Sequence, residues 1–311
     1  MKRDTDPSLV GRLAPSPTGE LHLGHARTFL LAYWSVRARG GRLVLRLEDL
    51  DVDRARPEYA DAARRDLEWL GLDWDTERLQ SEGIDRIRAA AAALEHAGLA
   101  YPCVCSRGDV RRALSAPHGS EARYPGTCRG RYENLQAAEA ASKKLAGLRF
   151  RSDDREYAFS DGVRGERREN LFHVSGDFLI LRRDKHPAYH LAVVVDDAFD
   201  RVTEVVRGDD LLDSTPKHLA LGAALGFSAP TYYHAPLVCD TAGERLAKRS
   251  PRLSLRELRA RGTDPRAIVG WAAASAGQAV AEPCHPSAVT REFDFARLPR
   301  GPVRVREDEF G

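Results

Sequence analysis

Apolar positions along the chain follow two different periods. Val10 to Leu13 form a short apolar entry, residues 15–19 carry turn chemistry, and Ala26, Phe29, Leu30, Tyr33 and Trp34 recur at the spacing of an amphipathic helix. Gly40 and Gly41 stop that helix. The apolar core 43–47 of "RLVLRLEDLD" suits a buried strand, so residues 10–47 predict strand, helix, strand, which is a parallel βαβ unit. In open parallel sheets ligands gather at the carboxyl ends of strands, where the turn after the first strand and Glu48 after the second both fall. Further along, 57–70, 82–98 and 132–146 predict helices. Between 148 and 188 short strand candidates alternate with charged turns, the pattern of an insertion with mixed pairing. "YHLAVVVDD" (189–197) predicts a strand buried on both faces, and "VTEVVR" a second ending at Arg207. A helix at 216–225, a strand at 232–238, a glycine-containing loop at 240–250 and helices at 254–261 and 265–276 complete the pattern.

At 311 residues the chain is long enough for a substantial core, and we expect one main domain with insertions. Forty-six acidic residues nearly cancel forty-eight basic ones, so net charge neither demands nor excludes a polyanionic partner. No basic segment at the N-terminus leads into an apolar stretch, and no run of about 18 apolar residues occurs, so a cytoplasmic protein without membrane attachment is expected. Five cysteines are an odd number for a disulfide scaffold. Cys103, Cys105 and Cys128 crowd into one segment while Cys239 and Cys284 stand apart, which points to a metal. Three thiolates suit tetrahedral Zn²⁺, and His118 is the fourth ligand that general zinc chemistry prefers.

Candidate chemistry concentrates in "GRLAPSPTGELHLGHAR" (11–27). A glycine at a helix start lets backbone N–H groups approach an anion, and the helix dipole favours negative charge there. His22 and His25, at i and i+3, share one face of the first turn and can both aim imidazole N–H donors at a phosphate. This string resembles the signature of class I aminoacyl-tRNA synthetases, and its A-P-S-P-T-G is similar to the glutamyl/glutaminyl branch. "LRLEDLD" (45–51) is similar to that branch's R-[IL]-E-D-T-D segment. "AYHLAVVVDD" and "VTEVVRGDDLLDSTPKH" resemble its amino-acid pocket, and "GERLAKRS" (243–250) resembles its second ATP signature, K-M-S-K-S. With five segments in the family's order over residues 11–250, the chain is identified as a member of that branch. In the last segment Lys248 matches the essential lysine, whereas Leu246, Ala247 and Arg249 depart from the pattern.

The resemblance implies an α/β fold: a Rossmann-like parallel sheet with an inserted zinc-binding and acceptor-binding subdomain and a short helical C-terminal extension. The corresponding segments are 1–100, the first catalytic half; 101–188, the insertion; 189–250, the second half with the lysine loop; and 251–311, the extension, with no anticodon-binding domain. It implies ATP with Mg²⁺, bound and activated through His22, Gly24, His25 and Lys248. It assigns L-glutamate to Arg12, Leu13, Ala14, Pro15, Ser16, Glu48, Tyr189 and Arg207. The charges agree: Glu48 can hold an ammonium, and guanidinium groups at Arg12 and Arg207 can read a side-chain carboxylate, favouring glutamate over glutamine. The branch's C-x-C followed by Y-x-x-x-C implies one structural zinc on Cys103, Cys105, Tyr124 and Cys128, in place of His118. The short C-terminal part resembles the paralogue group that consists of the catalytic region alone, whose acceptor is queuosine in the anticodon of tRNA(Asp). The expectation is a monomer that esterifies glutamate there. A short synthetase charging the tRNA 3′ end and a non-catalytic glutamate or nucleotide sensor are the alternatives.

Overall fold

The computed structural model describes residues 6, 8–106, 108–110, 123–246, 251–279 and 283–310. Its first unit follows the predicted βαβ pattern. Strand β1 (Val10–Leu13) leads into helix α1 (Leu23–Ala38), which returns to β2 (Arg42–Leu47) in parallel register, Val10 beside Arg42 and Leu13 beside Leu45. The apolar face of α1 buries Leu23, Ala26, Leu30 and Trp34 against this sheet. Gly11 is required beneath the helix, because a Cβ there would stand 2.4 Å from Cγ2 of Val36. Helix α2 (Pro57–Trp69) then leads to β3 (Thr76–Leu79), parallel to β2.

Helix α3 (Ile84–His96) leads to the insertion proper, the antiparallel sheet of β4 (Ala100–Cys103), β5 (Gly147–Phe150) and β8 (Phe178–Leu181). Segment 101–188 is not a single unit, however. Strands β6 (Glu156–Asp161) and β7 (Gly165–Asn170) form a hairpin whose β6 lies parallel to β10 (Thr231–Ala235), in the order β7-β6-β10-β9 with β9 (Glu204–Gly208). The hairpin thus completes the edge of the second catalytic half. Predicted helix 132–146 is shorter, Leu135–Ser142.

One expectation reverses. Residues 189–197 are the start of a helix, Tyr189–Asp200, not a strand. Its valine run is buried all round, a pattern that short apolar segments of helix and strand share. What decides the matter is the aspartates: as a helix, Asp196, Asp197 and Asp200 fall on one side, where Arg46, Arg78 and Arg86 meet them at 2.8–3.3 Å. A strand would send neighbours to opposite faces and strand half of these buried charges.

The two half-sheets meet between β1 and β9. Thr203 donates its N–H to the Val10 carbonyl at 2.9 Å, and Val10 donates to Thr203 Oγ1 at 3.0 Å. Farther up, the Arg12 side chain spans the gap, its Nη1 donating to the Val206 carbonyl at 2.9 Å. Connections leave β1 and β9 in opposite directions, which makes this a topological switch point with a crevice at the strands' carboxyl ends.

The C-terminal part carries helices Leu255–Ala260 and Pro265–Ser275, as expected, plus a short helix not predicted, Pro286–Val289, and a short strand, β12 (Val303–Arg304), beside β11 (Val238–Cys239). Leu255, Leu258, Ile268 and Ala272 join the same core as α1, so this extension is fused to the first half. Fully buried Arg27 of α1 ties the two together, donating to Ser275 Oγ at 2.8 Å and to the Pro236 carbonyl at 3.1 Å. No helix among the described residues is long and apolar enough to cross a membrane.

Candidate active site

A cleft of about 390 Å³ opens at the switch point. Arg12, Ala14, Ser16, His22, Gly24, His25, Glu48, Tyr189 and Arg207 all line it. Leu13 and Pro15 are buried and do not line it, so they can offer only backbone. Lys248, with Ala247 and Arg249, lies outside the described residues.

The histidines are locked by the helix they open. His22 is the N-cap of α1, and its Nδ1 accepts from the N–H of Gly24 at 3.1 Å; Nδ1 of His25 accepts from the N–H of His22 at 3.2 Å. This is a capping box with imidazoles in both roles. Each Nδ1 is an acceptor, so each neutral ring carries its proton on Nε2, and both rings offer a donor. The rings stack with centroids 3.8 Å apart. Gly24 makes this possible, since a Cβ there would press to 3.0 Å from Cε1 of His22. Burial pushes His22 down to about 3, with His25 and Arg245 adding to the effect, and burial with Arg245 pushes His25 to about 4. Both are neutral at pH 7. The C-terminal extension supports the cap: Leu255 donates its N–H to the Leu21 carbonyl at 2.8 Å.

Opposite the histidines sits a charged pocket. The turn after β1 is tied to the end of β2 by the Glu48 N–H, which donates to the Pro15 carbonyl at 2.9 Å. Glu48 Oε1 accepts from Nη2 of the fully buried Arg46 at 3.1 Å. Burial nonetheless raises the Glu48 carboxyl above its ordinary value, outweighing Arg46 and Arg12, so an added cation would relieve a desolvated carboxylate. Arg12 pairs loosely with Asp197, at 3.8 Å, and its Nη2 has no protein partner among the described residues. Arg207 is more committed. Its Nε donates to Nε2 of His234 at 2.9 Å, Nη1 to Nδ1 of His218 at 3.0 Å, and Nη2 to the Leu211 carbonyl and Thr215 Oγ1 at 3.1 and 2.9 Å. One N–H of five remains for a ligand, so a two-pronged grip by Arg207 alone is closed off. Tyr189, 40 % exposed, lays its ring edge-on to His190 and His218.

Sequence reasoning missed three participants. Arg46 orients Glu48 and alternates with it in the quoted strand, and Asp197 faces both Arg12 and Arg46. Arg245 lines the cleft mouth, paired with Asp210 at 2.7 Å. Its position at the head of the lysine-loop segment was the available signal.

Away from the cleft, the sulfur atoms of Cys103, Cys105 and Cys128 lie within 4.8 Å of one another. Tyr124 joins them: its Oη is 3.4 Å from Sγ of both Cys103 and Cys105 and accepts the Cys128 N–H at 2.9 Å. His118 lies outside the described residues. Cys105 and Cys128 are 3.5 Å apart, near the edge of about 3.8 Å expected for a tetrahedron with Zn–S about 2.3 Å.

The family model for tRNA synthetases class I (E and Q), catalytic domain, matches residues 8–300. The chain is 46 % identical over 310 residues to a glutamyl-Q tRNA(Asp) synthetase of Symbiobacterium thermophilum, covering 96 % of both chains. It is 45 % identical over 282 residues to one of Nitratidesulfovibrio vulgaris, covering 86 % of each. A glutamate-tRNA synthetase structure from Elizabethkingia anophelis superposes with a TM-score of 0.82 at 25 % identity, over 97 % of this chain and 68 % of that one. With its cleft, its histidine cap and these relatives, the chain belongs to the class I tRNA synthetases of the E and Q family, among the glutamyl-Q tRNA(Asp) synthetases.

Proposed function

We propose that the protein activates L-glutamate with ATP and transfers it to queuosine in tRNA(Asp). The observation that carries the activation step is the meeting, in one cleft, of two tautomer-locked histidines with Arg12, Arg207 and Glu48. A glutamate α-carboxylate oxygen forms a bond to the α-phosphorus of ATP as the bond to pyrophosphate breaks. The Nε2–H donors of His22 and His25 hold phosphate oxygens as their charge grows, a task of alignment and charge stabilisation that requires no covalent nucleophile. Neutral imidazoles serve here as fixed donors, and Lys248 adds a cation. Glu48 takes the α-ammonium, and Nη2 of Arg12 with the last N–H of Arg207 takes the side-chain carboxylate. Mg²⁺ accompanies ATP and offsets phosphate charge. An acceptor hydroxyl then attacks the acyl carbon and AMP leaves.

Queuosine as acceptor rests on the curated relatives, which share 40–46 % identity and are named glutamyl-Q tRNA(Asp) synthetases. Cys103, Cys105, Tyr124 and Cys128 fit one zinc as a closed structural site, distant in sequence from the cleft residues and with no open position for catalysis. The acceptor is tested by incubating the enzyme with ATP, labelled glutamate and tRNA from queuosine-making or queuosine-lacking cells, then trimming the 3′ terminus under ester-preserving conditions. Label should appear only on queuosine-containing tRNA(Asp) and survive trimming. Equal charging of both pools, lost with the terminal adenosine, would assign the protein to 3′-end charging.

A further inference from the structure

Arg207 does not stand alone. Behind it, on β10, His234 is fully buried, and behind His234, at the end of β6, so is the carboxylate of Asp161. Asp161 Oδ2 lies 2.6 Å from Nδ1 of His234, and its Oδ1 accepts the backbone N–H groups of His234, Val163 and Arg164 at 3.2, 3.0 and 2.8 Å. Gly162 allows the turn that brings this carboxylate in, because any Cβ there would strike the Tyr233 ring at 2.0 Å. The proton inventory then has a single solution. Ionised Asp161 accepts only, so His234 carries its proton on Nδ1 and presents a bare Nε2, which accepts from Nε of Arg207.

We propose that Asp161 and His234 are positioning residues for glutamate recognition: Asp161 fixes the tautomer of His234, and that tautomer aims the Arg207 guanidinium so that its one uncommitted N–H faces the cleft. The inference rests on the reading of Arg207 as a contact of the substrate's side-chain carboxylate. Neither residue lines the cleft, and neither touches substrate. The inverted tautomer would set an Nε2–H against the Nε–H of Arg207, donor against donor, and turn the guanidinium away. Burial, offset in part by Asp161, already holds His234 below its ordinary value, so the ring stays neutral and the relay remains intact at pH 7.

Asp161→Asn tests this with a near-isosteric change. Asparagine keeps an oxygen for the turn's N–H groups but presents an amide donor to Nδ1, which forces the proton to Nε2. The expected result is a rise of about tenfold in KM for glutamate, the size of one lost hydrogen bond, with kcat and KM for ATP within about twofold. His234→Gln, which returns an acceptor toward Arg207, should recover much of the affinity that His234→Leu loses. The ¹⁵N signature of His234 in the unaltered protein should be that of the Nδ1–H tautomer, a reading independent of whether any variant folds. An Nε2–H tautomer in that protein, an unchanged glutamate KM in Asp161→Asn, or a parallel rise in KM for both substrates overturns the proposal. Arg207→Gln separates the layers. If it raises the glutamate KM while Asp161→Asn does not, the positioning role alone fails; if it leaves the glutamate KM unchanged, the reading of Arg207 fails and takes the proposal with it.

Discussion

Replacing His22 or His25 by asparagine separates two jobs that each imidazole performs. The amide oxygen of asparagine occupies the place of Nδ1, so His22→Asn keeps the acceptor for Gly24 N–H, and His25→Asn keeps the acceptor for His22 N–H. At the N-cap asparagine is among the best residues, and at the third helical position it keeps the reach-back acceptor of the capping box, so helix α1 should hold in both variants. What disappears is Nε2–H. Losing one preorganised donor to developing phosphate charge costs about 10²–10³ in rate. Alanine removes both functions, adding a cap loss of about 1 kcal/mol, roughly 2 °C in Tm for a chain of this size. Pyrophosphate exchange and thermal melts of four variants, asparagine and alanine at each position, read the two effects independently. The expected outcome is exchange reduced about a hundredfold or more in all four, with melting lowered only in the alanine variants. Asparagine variants that exchange pyrophosphate at the original rate would refute the donor role; asparagine variants that melt as early as the alanine ones would refute the capping role.

Acid sensitivity follows from the same pair. Their folded values, about 3 and about 4, lie below the unfolded value of about 6.5, so between these limits the unfolded chain binds more protons and stability rises with pH. Urea melts from pH 4.5 to 7 should show a slope shallower by up to about two protons in the double variant His22→Asn, His25→Asn than in the parent, and equal slopes contradict the burial of neutral rings. For the metal, analysis of the purified protein should give about one zinc per chain, diminished in Tyr124→Phe. Full zinc in that variant, with loss in His118→Ala, moves the fourth ligand to His118.

Much of the site was legible because its residues lie in contiguous strings. Turn, glycine and histidines of 11–27 encode strand end, cap and donors together, and the structure places them as a single cleft wall. Helix 189–200 was not legible because valine runs favour strands locally, whereas the deciding force is tertiary: three aspartates need one face to meet arginines from β2, β3 and α3. The β6–β7 hairpin was misgrouped with the insertion for a related reason. Its partner, β10, lies some seventy residues later, and local alternation carries no record of which sheet a strand will join. Arg207 was recognised as a cation, but how many of its N–H groups stay free depends on His218, His234, Leu211 and Thr215, which converge only in three dimensions.

The measurement closest to the central claim is pyrophosphate exchange into ATP with glutamate or glutamine as the only amino acid and no RNA present. Glutamine's amide hydrogens would face the donor-only groups of Arg12 and Arg207, leaving buried donors unpaired at a cost of about 1–3 kcal/mol each. Glutamate should therefore support exchange at least about a hundredfold better in kcat/KM, and Arg12→Gln should shrink that preference. Equal exchange with both amino acids would contradict a carboxylate-reading pocket.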